Sequence, residues 1–346
     1  MRLVAYKVAV IGGDGIGPEV TAEALKVIAA TTVELETTDY DLGADRYIRT
    51  GEVLPDGVLE ELRGFDAILL GAIGAPVGSS DVPPGTLERG LLLRLRMELD
   101  LYVNLRPFDA TPGSVAAGAS FVVVRENTEG SYAGEGGFLR KGTEDEIATQ
   151  GSVNTRKGVE RCVRFAFELC NTRPRRHITL VHKTNVLTYA GDLWQRVFDL
   201  VAKDYPQVRT AYNHADAAAI YLVEGAVRYD VIVTDNLFGD ILTDLAGAVC
   251  GGIGLAPSAN LNPEKTGPSL FEPVHGAAHD IAGAKKANPL AAIRSAAMML
   301  ASLGETEAAA KVTAAVLAEQ AVTPASIVSA RSTSEIGDSV AARLET

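Results

Sequence analysis

Eight side chains in this sequence are of a type and spacing that chemistry can use. In "VIVTDNLFGDILTDLAGAVCG" (231–251), Asp240 and Asp244 lie four residues apart in a segment that reads as a helix. That spacing puts both carboxylates on one face, where like charges repel by a few tenths of a kcal/mol. Two readings account for the pair. One is a wet helix edge near the positive N-terminus. The other is a cation held between them. Asp216, in "YNHADAAAIYLV", is a first-turn or N-cap aspartate by type, or a third carboxylate for an all-oxygen Mg²⁺ or Mn²⁺ site.

Three arginines stand beside apolar runs: Arg96 in "LLLRLRME", Arg106 after "LYVNL" and Arg125 after "FVVV". A buried guanidinium is costly unless it meets an anion. Internal salt bridges meet that need. So does a polycarboxylate substrate, whose oxygens match the guanidinium fork. Lys183 ends "ITLVHK", either reaching to the surface or desolvated as a general base. Tyr132 sits in a Gly-rich loop, as packing or as a proton donor.

The elements that must position these groups are legible as short apolar runs ("KVAVIG", "AILLGA", "FVVVRE", "ITLVHK", "VIVTDN") alternating with helical patterns. The alternation predicts an α/β protein with a largely parallel sheet. Helices are expected over "PEVTAEALKVIAAT", "NTRKGVERCVRFAFELC", "GDLWQRVFDLVAKDY" and three segments after residue 288. The small-residue stretches "FDATPGSVAAGAS" and "GGIGLAPSANLNPEKTGPS" read as loops and as candidate domain crossings. Glu88, Leu92 and Arg96, spaced by four, share a face if their segment is a regular helix.

The 346 residues allow two domains, and 47% hydrophobic with 22% charged residues is ordinary for a globular protein. A net charge of −12 disfavours nucleic acid and anionic membranes as partners. No apolar run is long enough to span a bilayer, and the N-terminal stretch lacks signal-peptide character, so a cytoplasmic location is expected. Cys162, Cys170 and Cys250 form no CxxC pair and read as buried thiols. "IGGDGIGPEV" invites a dinucleotide reading, but the third glycine of G-x-G-x-x-G is replaced by Pro18 and no Lys-Ser/Thr follows. It is expected to be a tight strand-to-helix turn with close backbone approach.

Five separated motifs, "LDLYVNLRP", "VVVRENTEG", "VHKTNVL", "DNLFGDILTDL" and "FEPVHGAAHDIAG…ANP", together resemble the β-decarboxylating dehydrogenases, the isocitrate/isopropylmalate dehydrogenase family. The resemblance covers nearly the whole chain. It implies two α/β domains, 1–101 plus 251–346 and 102–250, with an active-site cleft between them. It implies NAD-dependent and Mg²⁺- or Mn²⁺-dependent oxidative decarboxylation of a 3-substituted malate. In the resemblance Arg96, Arg106 and Arg125 clamp carboxylates, Lys183 is the base, and Tyr132 is the acid. Asp216, Asp240 and Asp244 would hold the metal. Asn185 would lie near nicotinamide and substrate. Glu272, His275, Gly276, Ala277, Asp280 and Asn288 would form the cofactor loop, with Asp280 favouring NAD over NADP. A homodimer is implied, in which Lys183 and Asp216 reach the partner's pocket.

The same resemblance puts the substrate's C3 group against Glu88, Leu92 and Leu93, which suit an isopropyl or similar alkyl group. Asn127 in "RENTEG" and His279 in "HGAAHD" depart from the isopropylmalate spelling. Homoisocitrate, isocitrate, tartrate or another 2-alkylmalate-like acid are therefore alternative substrates. A non-catalytic regulatory subunit is the alternative of another class.

Overall fold

The computed structural model describes residues 5–322 and 330–344. β1 (Tyr6–Gly13) runs through a tight turn into α1 (Gly17–Ala29), with Pro18 in the first turn as its missing N–H permits. β2 (Leu35–Asp39), α2 (Ala44–Thr50), α3 (Asp56–Leu62) and β3 (Ala67–Ala72) follow. A π-helical turn at Glu88–Leu93 passes directly into α4 (Arg94–Glu98). Next come β4 (Val103–Asp109), β5 (Ser120–Glu126) and a ribbon of β6 (Gly136–Leu139) with β7 (Ile147–Gln150). Then come α5 (Arg156–Thr172), β8 (His177–His182), α6 (Thr188–Ala202), β9 (Arg209–His214), α7 (Ala215–Gly225), β10 (Val231–Thr234) and α8 (Asn236–Cys250). β11 (Pro257–Leu261), β12 (Ser269–Pro273), α9 (Leu290–Leu303), α10 (Thr306–Gln320) and α11 (Thr333–Ala342) complete the described chain. α11 opens on a capping box between Ser332 and Glu335.

One ten-stranded sheet runs in the order β2-β1-β3-β12-β11-β4-β5-β10-β8-β9. Its flanks are parallel, while β12–β11, β11–β4 and β4–β5 are antiparallel. The sheet is therefore mixed, with its antiparallel pairs at the centre. The period-2 alternation of strand side chains sorts the core. Val8, Val10 and Leu69 pack under α1, α9 and α10, while Ala9, Ile11 and Leu70 face Leu62, Leu91 and Leu95 on the other side. Likewise Val122, Val124 and Val233 meet Phe167, Trp194 and Phe198, while Val123 and Ile232 meet Leu222, Leu242 and Ala246.

Two readings of the sequence are corrected here. The stretch 251–269, read as loop, contains β11 at the middle of the sheet. β11 (PSANL) has no Val or Ile, so propensity hid it. Its buried Ser258 and Asn260 are satisfied by side-chain hydrogen bonds from Asn104 on the neighbouring β4 and, for Asn260, from Asn127 just after β5. The Glu88–Leu93 segment is a π-turn, not a regular α-helix. Its wider turn makes four residues fall short of a full revolution, so Leu92 and Leu93 both flank the line of Glu88.

Candidate active site

β5, β10 and β8 are parallel neighbours, so their carboxyl ends share one edge of the sheet, where open α/β sheets take ligands. Arg125 and the turns carrying Lys183 and Asn236 all arrive there. Asp235 caps α8, its side chain accepting from the Phe238 N–H at 2.8 Å. The helix is thereby aimed over the end of β5. Gly239 makes the crossing possible, because a Cβ there would lie 2.5 Å from Arg125 Cγ.

Arg125 is fully buried and donates through Nη1 to Asp240 at 2.5 Å and through Nε and Nη2 to Asn236 Oδ1 at 3.0 and 2.7 Å. Arg106 stands 3.8 Å from the same carboxylate and donates to Thr243. The Tyr132 hydroxyl donates to Asp240 Oδ2 at 2.9 Å, and Arg125 lies 5.3 Å over the tyrosine ring. Asp240 thus gathers two arginines and the phenol. Burial alone would raise its pKa, but Arg125 and Arg106 hold it below the ordinary carboxylate value. Arg106 is pushed down to about 9 by burial and then by Arg125. Burial first, and Asp240 second, raise the Tyr132 phenol.

Asp244 shares this helix face at the exposed rim, and no hydrogen bond or ion pair engages it among the described residues. Its pKa is raised by burial of its carboxyl and by Asp240. The crowding read from the four-residue spacing is therefore uneven: Arg125 pairs directly with Asp240, while Arg106 and Arg125 act on Asp244 only from a distance and less than burial and Asp240 do.

Asp216 is not brought beside these two. It lies in the first turn of α7 and pairs with Lys183 Nζ at 2.8 Å, which lowers its pKa through that hydrogen bond. No group of three or more metal-capable side chains occurs within one chain among the described residues. Asn185 is exposed in the turn after Lys183. Arg96 donates to Glu272 at 3.3 Å, so each of the three arginines stands near a carboxylate of its own chain, as the salt-bridge reading allowed. Glu88 is exposed and Leu92 and Leu93 are partly buried.

The segment after β12 carries the expected cofactor residues. His275 is buried, its Nδ1 against the Gly276 carbonyl at 3.0 Å, while Nε2 has no partner. Burial lowers its pKa, keeping the ring neutral with Nε2 free to accept. Ala277 is buried and its carbonyl accepts from the Ile16 N–H at 2.8 Å. Gly15, at φ +58°, has room for no side chain because a Cβ would lie 1.9 Å from that carbonyl. The glycine-rich turn is thus the seat of the 275–280 segment. His279 contacts the Gly74 carbonyl at 2.6 Å. Gly276 and Asp280 are exposed and Asn288 is buried.

The donor chemistry fits the groups the resemblance implies. Asp240 and Asp244 offer oxygen ligands from one helix face, and Asp244 has no ion pair among the described residues. The orphaned His275 Nε2 and exposed Gly276 give a ligand polar contacts on the 275–280 segment. The cysteines are buried and free, with Cys170 and Cys250 each pushed up to about 12 by burial, which leaves them inert thiols.

Sequence reasoning missed Asn236, Gly239, Thr243 and Asn260. None has a distinguishing local signal; each matters through a contact more than 100 residues away, Gly239 excepted only in that its partner is bulk rather than a hydrogen bond.

The mixed sheet and the arginine–aspartate–tyrosine cluster at its edge define an α/β dehydrogenase scaffold, and the chain belongs to the isocitrate/isopropylmalate dehydrogenase family, which matches residues 7–340. Among its relatives, a 3-isopropylmalate dehydrogenase of Corynebacterium aurimucosum is 60% identical over 343 residues, covering 98% of this chain and 99% of that one. A 3-isopropylmalate dehydrogenase of Frankia casuarinae is 58% identical over 342 residues, covering 97% and 99%. The crystal structure of isocitrate dehydrogenase from Methylococcus capsulatus superposes with a TM-score of 0.88 at 36% identity, covering 99% and 100%.

Proposed function

We propose that this chain catalyses the oxidative decarboxylation of 3-isopropylmalate to 4-methyl-2-oxopentanoate, the carbon skeleton of leucine. The observation that carries this reading is the convergence of Arg106, Arg125 and Tyr132 on Asp240 at the carboxyl edge of β5 and β10. When bound, NAD⁺ would take up the hydride, and a divalent cation on Asp240 and Asp244 would draw electron density from the hydroxyl-bearing carbon. Arg96, Arg106 and Arg125 hold the substrate's carboxylates. Lys183 takes the hydroxyl proton. Tyr132 then protonates the enolate left after CO₂ departs. Leu92 and Leu93 take the isopropyl group, and a carboxylate placed there would be left unpaired.

The active unit is a homodimer in which Lys183 and Asp216 of one protomer complete the pocket of the other. Two observations support it. Lys183 and Asp216 form a pair apart from Asp240 and Asp244. Large apolar side chains stay exposed beside both groups (Val186 and Tyr189 after Lys183; Leu237 and Ile241 on α8) and on the ribbon at Phe138 and Ile147. The two lobes are 1–101 plus 251–346 and 102–250. This division is supported by the apolar clusters, whose buried members segregate in the same way except for Ala256. Glu272, His275, Gly276, Ala277, Asp280 and Asn288, with Asn185, hold NAD. No described helix is long and apolar enough to cross a membrane, and the enzyme works in the cytoplasm.

NADH formation by the purified protein with Mn²⁺ and a panel of 3-substituted malates tests the proposal. Turnover is expected with 3-isopropylmalate in preference to isocitrate, homoisocitrate and tartrate. Preference for a substrate with a third carboxylate would overturn the leucine-lined pocket, and absence of turnover on every acid would overturn the activity.

A further inference from the structure

Three buried asparagines lie where the two lobes join. On β4, Asn104 is opposite Asn260 of β11 on one side and Arg125 of β5 on the other. Asn104 is two residues from Arg106 on β4 and shares its strand face, while Asn127 directly follows the end of β5, two residues beyond Arg125. The Asn260 amide joins them. Its Oδ1 accepts from Asn104 Nδ2 at 3.1 Å and Asn127 Nδ2 at 2.8 Å. Its Nδ2 donates at 2.8 Å to Glu272 Oε1, the oxygen that Arg96 also reaches at 3.3 Å. All three asparagines are 0% exposed, and the Oδ1 atoms of Asn104 and Asn127 have no partner among the described residues. Bare buried carbonyls cost stability that apolar residues would not. What the amides provide in return is direction.

We propose that Asn260 is a positioning residue that sets Arg96, from one lobe, in register with Arg106 and Arg125, from the other. This rests on the reading of the three arginines as the substrate clamp. Asn260 touches neither substrate nor cofactor. It acts through Glu272 on Arg96 and, through Asn104 and Asn127, on the strands that carry the other two. The amide is needed because its two ends do opposite work: one accepts from the second lobe, the other donates to a carboxylate of the first. An aspartate of the same shape would set two carboxylates against each other, and they would have to share a proton.

Steady-state kinetics of N260A and N260D, each compared with wild type between pH 6 and 8.5, test this. N260A is expected to raise KM for 3-isopropylmalate by about tenfold, the scale of one hydrogen-bonded contact, at every pH. N260D is expected to show a similar defect at pH 8.5 that shrinks severalfold toward pH 6, as a shared proton restores the donor to Glu272. An unchanged KM for the diacid in N260A, or an N260D defect that does not respond to pH, overturns the proposal. Should N260A fail to fold, the isosteric N260D decides by its pH response alone. A wild-type protein with no activity would instead count against the proposed function.

Discussion

Arg125 and Asp240 meet at 2.5 Å, with Arg125 only 1% exposed and Asp240 open on one side to solvent. The guanidinium and the carboxylate offset each other, and on the proposed function a substrate anion and a divalent cation would take their places. Removing Asp240 leaves the buried Arg125 charge without its ion pair. D240A is expected to lose roughly 2 kcal/mol of stability, less than a fully buried pair because solvent reaches Asp240. Denaturant unfolding checks this, and addition of Mn²⁺ should not stabilise the variant.

Asp244 behaves oppositely. It has no hydrogen-bond or ion-pair partner among the described residues, and burial and Asp240 raise its pKa. D244N should therefore melt at or slightly above the wild-type temperature while raising the Mn²⁺ concentration needed for half-maximal activity by at least about tenfold. EDTA should abolish NADH formation by the wild type, and Mn²⁺ should restore it. A D244N enzyme with the wild-type metal requirement would remove this carboxylate from the site.

Lys183 is bound to an exposed partner, Asp216. K183M should leave the melting temperature near that of wild type and lower kcat by roughly 10²–10⁴-fold, the usual worth of a positioned base. Mixing K183M with a D240N chain separates the dimer reading from a single-chain one. A shared site regains activity in hybrids that hold one pocket free of both changes, whereas a single-chain site regains none.

Asp280 is exposed on the segment after β12. Its charge would repel a 2′-phosphate. Wild type is expected to use NADP⁺ poorly, and D280R to raise the NADP⁺/NAD⁺ ratio of kcat/KM by about tenfold or more. An unchanged ratio would place the adenosine ribose elsewhere.

His182 is fully buried against Trp194 and Phe238, 3.6 Å from Asp235, with neither ring nitrogen hydrogen-bonded. Burial holds its pKa down at about 4, against 6.5 ordinarily. The unfolded chain therefore takes up this proton first, and stability is lost as pH falls from 6.5 through 4. The loss is on the order of 3 kcal/mol. Asp235, raised to about 6 by burial, pulls the other way in the same window but is common to both proteins. H182F should lose less stability than wild type between pH 7 and 4.5 in urea unfolding. Parallel losses would show that His182 is not the group responsible.

Much of the site was legible because its residues violate local expectation. Arg125 ends four apolar residues, Lys183 ends another apolar strand, and Asp240 and Asp244 crowd one helix face. Each is costly locally, and for Arg125, Lys183 and Asp240 the cost marks a partner elsewhere. β11 was illegible for the converse reason. Its Ser258 and Asn260 look like loop residues until Asn104 and Asn127 are brought against them. Gly239 carries no local signal, although it is the space through which Arg125 passes.

Composition and periodicity by themselves determined the α/β class, the apolar strands, most helices and the kinds of chemistry available, because strand and helix periods are set by local backbone geometry. The tertiary structure alone decided that β12, parallel to β3, and β11, antiparallel to both its neighbours, enter the sheet between β3 and β4, that Asp240 meets Arg125 and Tyr132, and that Asp216 goes to Lys183. Those pairings depend on strand order and register, and no local pattern encodes which distant charge will answer a buried one.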